Sequence, residues 1–269
     1  DDTEDVIKVI LDNDIRFRFL IRDKRYKKGL AGCRNCGLDK ANGEYIIFFD
    51  DDDIIHPQNL SISLNCLETS KKDFCHYAKS PFINVPPVLN NEQVVSEIKA
   101  VTIKDIQDIV TQKIGLASCT VLWKRRCFID NKFNEELLYA EEWECYIRLI
   151  TNGFNGIMID NVLYYNRKHS NSNTGEFFNN NPSRRESYTR AILLVIQNLK
   201  QKQLLTYSLK RYFIAKSIDF MEYNLFMKIM KILDLSSLEK VQWQIFFKLL
   251  PFRLIIHKNK KIIENKLYS

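Results

Sequence analysis

Two rhythms of apolar positions alternate through the first 175 residues. Val6, Ile7, Val9, Ile10 and Leu11 recur at helical spacing behind acids, so residues 3 to 13 predict a short helix. "IRFRFLIR" at 15 to 22 alternates apolar and basic residues and predicts a strand. "GLAGCRNCGLDKANG" predicts a helix that ends near Gly43. "EYIIFFD" at 44 to 50 is a nearly unbroken apolar run, the pattern of a strand covered on both faces of a parallel sheet. Pro57 opens a helix to about Thr69, and "DFCHYAKS" at 73 to 80 reads as the next strand. Residues 80 to 100, with Pro81, Pro86 and Pro87, read as a loop. A helix at 104 to 113, a strand at 118 to 124, a helix at 140 to 153 stopped by Gly153 and an extended segment at 156 to 167 follow. "HSNSNTGEFFNNNPS" reads as a polar loop; from Ser183 the pattern is helical, broken at Pro251. Helices and strands that alternate in this way predict an α/β fold with crossover helices over residues 1–175 and a helical extension over 176–269.

"FFDDDDIIHP" at 48 to 57 places four aspartates at the end of the second strand. Open α/β sheets bind ligands at the carboxyl ends of their strands. Carboxylates crowded there repel one another unless a cation offsets them. Mg²⁺ or Mn²⁺ suits oxygen ligands and fills its shell with water and substrate phosphates. An EF-hand is excluded, because its sixth position would be Ile55 and its twelfth Ser61. A solvated acidic turn ahead of a helix, favoured by the helix dipole, is the alternative that the four acids alone leave open.

Composition narrows the class. The chain has 269 residues, 45% hydrophobic, with 8 Gly and 6 Pro, which suits a folded domain with a substantial core. No apolar run approaches the roughly 18 residues of a membrane-spanning helix. Seven scattered cysteines, only Cys33 and Cys36 in C-x-x-C spacing, fit reduced thiols in a cytoplasmic protein. From residue 200 onward there are fourteen Lys and Arg against five Asp and Glu, so that segment holds +9 and the rest −2 of the net +7. The basic residues there interleave with apolar stripes. They show either ordinary covering helices or a surface for an anionic membrane, and no nucleic-acid motif.

Three blocks in order bring a family into view. "KKGLAGCRNCGLDKANGEYIIFFDDDDIIHPQNL", "SCTVLWKRRCFIDNKFNEELLYAEEWECYIRLITNG" and "YYNRKHSNS" resemble the family 2 glycosyltransferases over residues 1 to 175. The resemblance implies a GT-A fold, a Rossmann-like sheet for nucleotide-diphospho-sugars. It implies an inverting transfer from a nucleoside-diphosphate sugar, UDP-linked in the first instance, to a glycan or lipid-linked acceptor in surface polysaccharide synthesis. It assigns Asp50 and Asp52 to Mn²⁺ or Mg²⁺, with Asp51 and Asp53 beside the substrate. It sets Arg34 and Asn35 of the "RN" pair, Arg167 and His169 at the nucleotide, and Trp143 as a sugar-stacking candidate. It makes Glu142 the base, where the family more often has Asp, with Glu141 as rival. Taken alone, Arg34 is equally a surface arginine paired with Asp39 or Glu44, and Trp143 a core aromatic. "DDTED" at the start resembles a shortened form of the family's "DDGSTD", which implies a missing first β-α unit and leaves Asp1 or Asp2 at the base. The expected place is the cytoplasm, peripheral on the inner face of the plasma membrane. A truncated or non-catalytic nucleotide-sugar-binding homologue is the rival reading. A nucleotidyltransferase would carry a Gly-rich phosphate loop near its start, and none is visible.

Overall fold

The computed structural model describes residues 3–89, 93–169, 172–219, 223–233, 235–249 and 251–252. The chain divides into two compact units, Asp1–Ala191 and Ile192–Ser269. The first unit runs α1 (Thr3–Asn13), α2 (Leu30–Lys40), β1 (Tyr45–Ile46), β2 (Ile54–Ile55), α3 (Asn59–Ser70), β3 (Phe74–Phe82), β4 (Ile98–Val101), α4 (Ile106–Val110), β5 (Val121–Lys124), α5 (Glu141–Thr151), β6 (Gly156–Arg167) and α6 (Asn173–Phe178). The strands form one mixed sheet in the order β1-β5-β3-β6-β2, with β4 also paired to β6. Only β3 and β6 run parallel; the other four pairings are antiparallel.

β6 organises the sheet. It pairs with β3 from Gly156 to Arg167, its first half takes β4, and its second half takes β2 through Ile54↔Tyr165 and Ile55↔Tyr164. That pairing pins the far side of the aspartate turn. The core below is aromatic: Phe74 packs on Trp123 at 4.5 Å and Trp123 on Tyr146 at 5.0 Å, and all three are essentially inaccessible. α5 buries nine of its eleven residues, so the orientation of its first turn is set by the core.

Several expectations change. Residues 15 to 22 form no strand. Alternation makes a strand only where a partner ladder and a covered face exist; here Ile15 is 96% and Ile21 81% exposed, and among the described residues no strand pairs with them. The 44 to 50 run forms a ladder only at Tyr45 and Ile46, antiparallel to β5, and continues as unpaired backbone to Asp50. The 80 to 100 loop contains β4, and the polar loop after β6 contains α6, capped by Ser172 Oγ, which accepts from Gly175 N–H at 3.0 Å.

α7 (Pro182–Gln201) falls partly in each unit; α8 (Tyr207–Asp219), α9 (Tyr223–Ile232) and a further helix at 237–249 belong to the second. Within that unit α8 and α9 pack together around buried Leu209, Phe213, Phe226 and Ile229. Among the described residues no helix is long and apolar enough to cross a membrane.

Candidate active site

α2, the end of the 44 to 50 segment, the turn before β5 and the start of α5 converge on Arg34. Its guanidinium is 10% exposed and donates to Glu141 Oε1 at 2.7 Å and to Ser118 Oγ at 3.0 Å. Glu142 Oε2 lies 3.8 Å from the same guanidinium. Phe48 and Phe133 line the other side, their ring centres 5.7 and 5.5 Å from the cation. Burial pulls the Arg34 pKa down, but Glu142 and Glu141 more than offset it, and the net shift is upward. Arg34 is therefore a fixed cation and not a surface arginine.

The two glutamates divide their work by exposure. The Glu141 side chain is 5% exposed and tied to Arg34, while that of Glu142 is 30% exposed. Burial, then the charge of Glu142, push the Glu141 carboxyl upward against the pull of Arg34. Glu142 Oε2 accepts the backbone N–H of Ser118 at 2.8 Å. Ala140, just ahead of both, sits in the left-handed region at φ 63, a conformation costly for a residue with a Cβ. It turns the chain so that α5 begins with both carboxylates at Arg34.

The aspartates form a second group. Asp50 N–H donates to Tyr164 Oη at 3.2 Å, and Tyr164 stacks on Phe49. Asp50 lies within electrostatic reach of Arg34 and Glu142. Desolvation raises its carboxyl pKa most, Arg34 opposes, and Asp53, Glu142 and Asp52 add to the rise. Asp52 Oδ2 meets His169 Nε2 at 3.1 Å, and its carbonyl accepts from Arg167 Nε at 3.0 Å. Asp53 Oδ1 accepts Arg167 N–H at 2.7 Å. Asp51 is exposed in the turn. Among the described residues no cluster holds three or more potential metal ligands. Asp50 and Asp52 carry carboxylate oxygens, the donor type that Mg²⁺ or Mn²⁺ prefers.

The structure redirects two assignments and does not describe a third. Asn35 is 4% exposed; its amide donates to Phe133 O and Glu135 Oε1 and accepts Phe133 N–H, which spends it on the 133–135 loop and leaves nothing for a nucleotide. Trp143 is 7% exposed, gives its N–H to Val110 O and packs by Tyr188, so it is a core residue and no sugar platform. Asp2 lies outside the described residues. Sequence reasoning missed Ser118 and Tyr164. Both lie inside the quoted blocks, but a serine before a strand and a tyrosine within one carry no chemical signature.

Residues 1–86 match the family model described as glycosyl transferase family 2. The chain is 36% identical over 98 residues to UDP-Glc:alpha-D-GlcNAc-diphosphoundecaprenol beta-1,3-glucosyltransferase WfaP of Escherichia coli, covering 34% of this chain and 38% of that protein. It is 26% identical over 149 residues to GalNAc(5)-diNAcBac-PP-undecaprenol beta-1,3-glucosyltransferase of Campylobacter jejuni, covering 55% and 46%. The chain thus spans about half the length, or less, of these curated relatives. Among solved structures it is similar to S. aureus TarS 1-349 in complex with UDP-GlcNAc, with TM-score 0.59 and 18% identity over 86% of this chain and 68% of that one. That likeness establishes the α/β GT-A fold. The likeness to glycosyl transferase family 2 lies in residues 1–86.

Proposed function

We propose that this chain carries the donor site and the base of an inverting glycosyl transfer, from a UDP-sugar to a glycan or lipid-linked acceptor in surface polysaccharide synthesis. One observation carries the reading: Arg34 joins the α5 glutamates, and Asp50 feels both Arg34 and Glu142. An acid-rich turn and an accessible carboxylate thus share one buried cation. The names of the relatives support a UDP-glucose donor and an undecaprenol-linked acceptor. Such an acceptor sets the reaction at a membrane, on its cytoplasmic face.

Each residue has a role on this reading. Asp52, with Asp50, holds the divalent ion, and His169 steadies Asp52 from 3.1 Å. An Mg²⁺ or Mn²⁺ ion bound there supplies positive charge for the departing diphosphate. Arg34 adds a fixed cation nearby. Glu142 takes the proton of the acceptor hydroxyl as that oxygen attacks, the electron pair of the broken bond leaving with the nucleoside diphosphate. Glu141, consumed by Arg34, is a positioning residue.

Calorimetry of UDP with Mn²⁺, with EDTA and with Asp52→Ala tests the donor site, and release of UDP from UDP-glucose tests transfer. Binding that needs both metal and Asp52 is expected. Metal-dependent binding without turnover on any acceptor would favour the non-catalytic homologue. No binding of UDP or another nucleoside diphosphate by folded protein would end the donor-site reading.

A further inference from the structure

The second unit carries an apolar stripe on the outside of a helix. In the helix at 237–249, Leu238, Val241, Ile245 and Leu249 recur at steps of three and four, which places them on one face. They are 68%, 50%, 53% and 49% exposed, and Phe252, next in the same spacing, is 65% exposed. The helix is held by its other side: Phe247 stacks on buried Phe226 with ring centres 4.5 Å apart and planes at 22°. Phe247 lies two residues from both Ile245 and Leu249, so the contact that anchors the helix turns those two outward.

We propose that this stripe is a docking surface for an anionic lipid bilayer, on which the helix lies in the plane of the headgroups. Charge decides the occupant. Residues 235 to 269 contain seven Lys and Arg against two Glu. Lys240 and Lys248 are exposed on the same helix. An apolar face flanked by Lys248, in a segment with this basic excess, is complementary to anionic headgroups, which attract each basic residue near the surface. A second copy of the chain docked on the same stripe would bring like charges together, because a two-fold interface sets each patch against itself. The surface belongs to the second unit and makes no use of the donor site.

The test is sedimentation of the full chain with vesicles of phosphatidylglycerol and phosphatidylethanolamine, and with pure phosphatidylcholine. Wild type is expected to pellet with the anionic vesicles, less in about 0.5 M salt than in about 0.1 M, and weakly with phosphatidylcholine. The pair Ile245→Glu and Leu249→Glu should lower binding at least roughly tenfold. Both positions are exposed, and an unchanged far-UV circular dichroism spectrum and melting temperature confirm that the fold survives. Lys240→Ala with Lys248→Ala should weaken binding to anionic vesicles and leave phosphatidylcholine unaffected. Folded wild type that ignores anionic vesicles would overturn the proposal, as would binding indifferent to Ile245 and Leu249. So would a dimer, seen by sedimentation equilibrium, that the glutamate pair dissociates. Vesicle binding is read without nucleotide, so its failure is separate from that of the donor site.

Discussion

The backbone N–H of Ser118 donates to Glu142 Oε2 across 2.8 Å, while the hydroxyl of the same serine accepts from Arg34 at 3.0 Å. One small residue thus holds both Glu142 and the cation beside it. Oε2 of Glu142 is held by that amide, and on the proposed reading Oε1 meets the acceptor hydroxyl. Glu142→Gln keeps the shape and removes the basicity. On the proposed reading it should lower kcat by about 10²- to 10⁴-fold, with UDP affinity near wild type. Ser118→Ala removes only the hydroxyl that accepts from Arg34, and Ser118→Pro removes the amide held by Glu142 as well. Ser118 opens a short 3-10 turn, where a missing N–H is tolerated, and Ala117 before it is already extended at φ −96, ψ 153. The kcat of the proline variant should fall below that of the alanine variant, and the difference between them isolates the amide. A proline variant with wild-type kcat would remove Ser118 from the catalytic account.

Arg34 and Glu141 make a buried pair, and buried pairs are costly to break from one side. Arg34→Met leaves the Glu141 carboxylate without its partner and should cost about 3–5 kcal/mol of unfolding free energy. Removing both, as Arg34→Met with Glu141→Met, exchanges the pair for apolar packing and should recover much of that loss. Urea unfolding of wild type, Arg34→Met, Glu141→Met and the double variant gives the coupling directly. If the double variant is no more stable than the single one, Arg34 serves mainly its other partners, Ser118 and Glu142.

Much of this was legible before any coordinates. The acidic strand end, the paired glutamates opening a helix and the arginine of "CRN" were each readable, because charge at an element boundary stands out against an apolar run. β6 was readable from end to end, since twelve extended residues leave no rival pattern. Residues 15 to 22 misled because alternation records a capacity to pair, while a strand also needs a partner. Asn35 and Trp143 misled for the opposite reason. Both are polar-tipped residues inside a site motif, yet their polar atoms are satisfied by Phe133, Glu135 and Val110, positions distant in the chain. Ser118 was hidden because its decisive group is a backbone amide, which every residue but proline has.

His76 gives a pH dependence that is separate from catalysis. It is 8% exposed, and its Nδ1–H donates to Thr120 O at 3.1 Å. It borders a cavity of about 220 Å³ lined by Glu97, Lys99, Met158 and Asp160 among others. Burial is the main cause that pushes its pKa down to about 4, with Lys79 adding to the shift and the Thr120 bond opposing it. An unfolded histidine titrates near 6.5, so between about 6.5 and 4 the unfolded chain binds the extra proton. Stability from this group is complete above pH 6.5 and is lost as pH falls toward 4, by about 3 kcal/mol in all. His76→Gln should lose less stability than wild type between pH 7 and pH 4.5 in urea melts. Parallel pH profiles for the two proteins would mean that His76 is solvated well enough to charge in place.

Gly32 and Gly37 lie in the same helix and should respond oppositely to alanine. In an exposed helix interior, glycine to alanine gains roughly 0.5–1 kcal/mol, because alanine has less backbone entropy to lose. Gly37 is exposed and nothing lies within 4 Å of a Cβ built there, so Gly37→Ala should realise that gain. At Gly32 a Cβ would sit on the carbonyl oxygen of Lys27, a backbone atom with no rotamer to retreat into. Overpacking of this kind costs about 1–3 kcal/mol and outweighs the helix preference. The displacement also has a path to the site. Lys27 N–H donates to Glu135 Oε2 at 2.6 Å, its side chain pairs with Glu136, and Asn35 holds the same loop. Arg34 is two residues from Gly32 and stacks on Phe133 of that loop. Gly32→Ala should therefore lower both the melting temperature and UDP affinity, while Gly37→Ala raises the first and leaves the second alone. Calorimetry and thermal melts on the two variants check both, and equal effects at the two positions would show that the turn before α2 yields without moving Arg34.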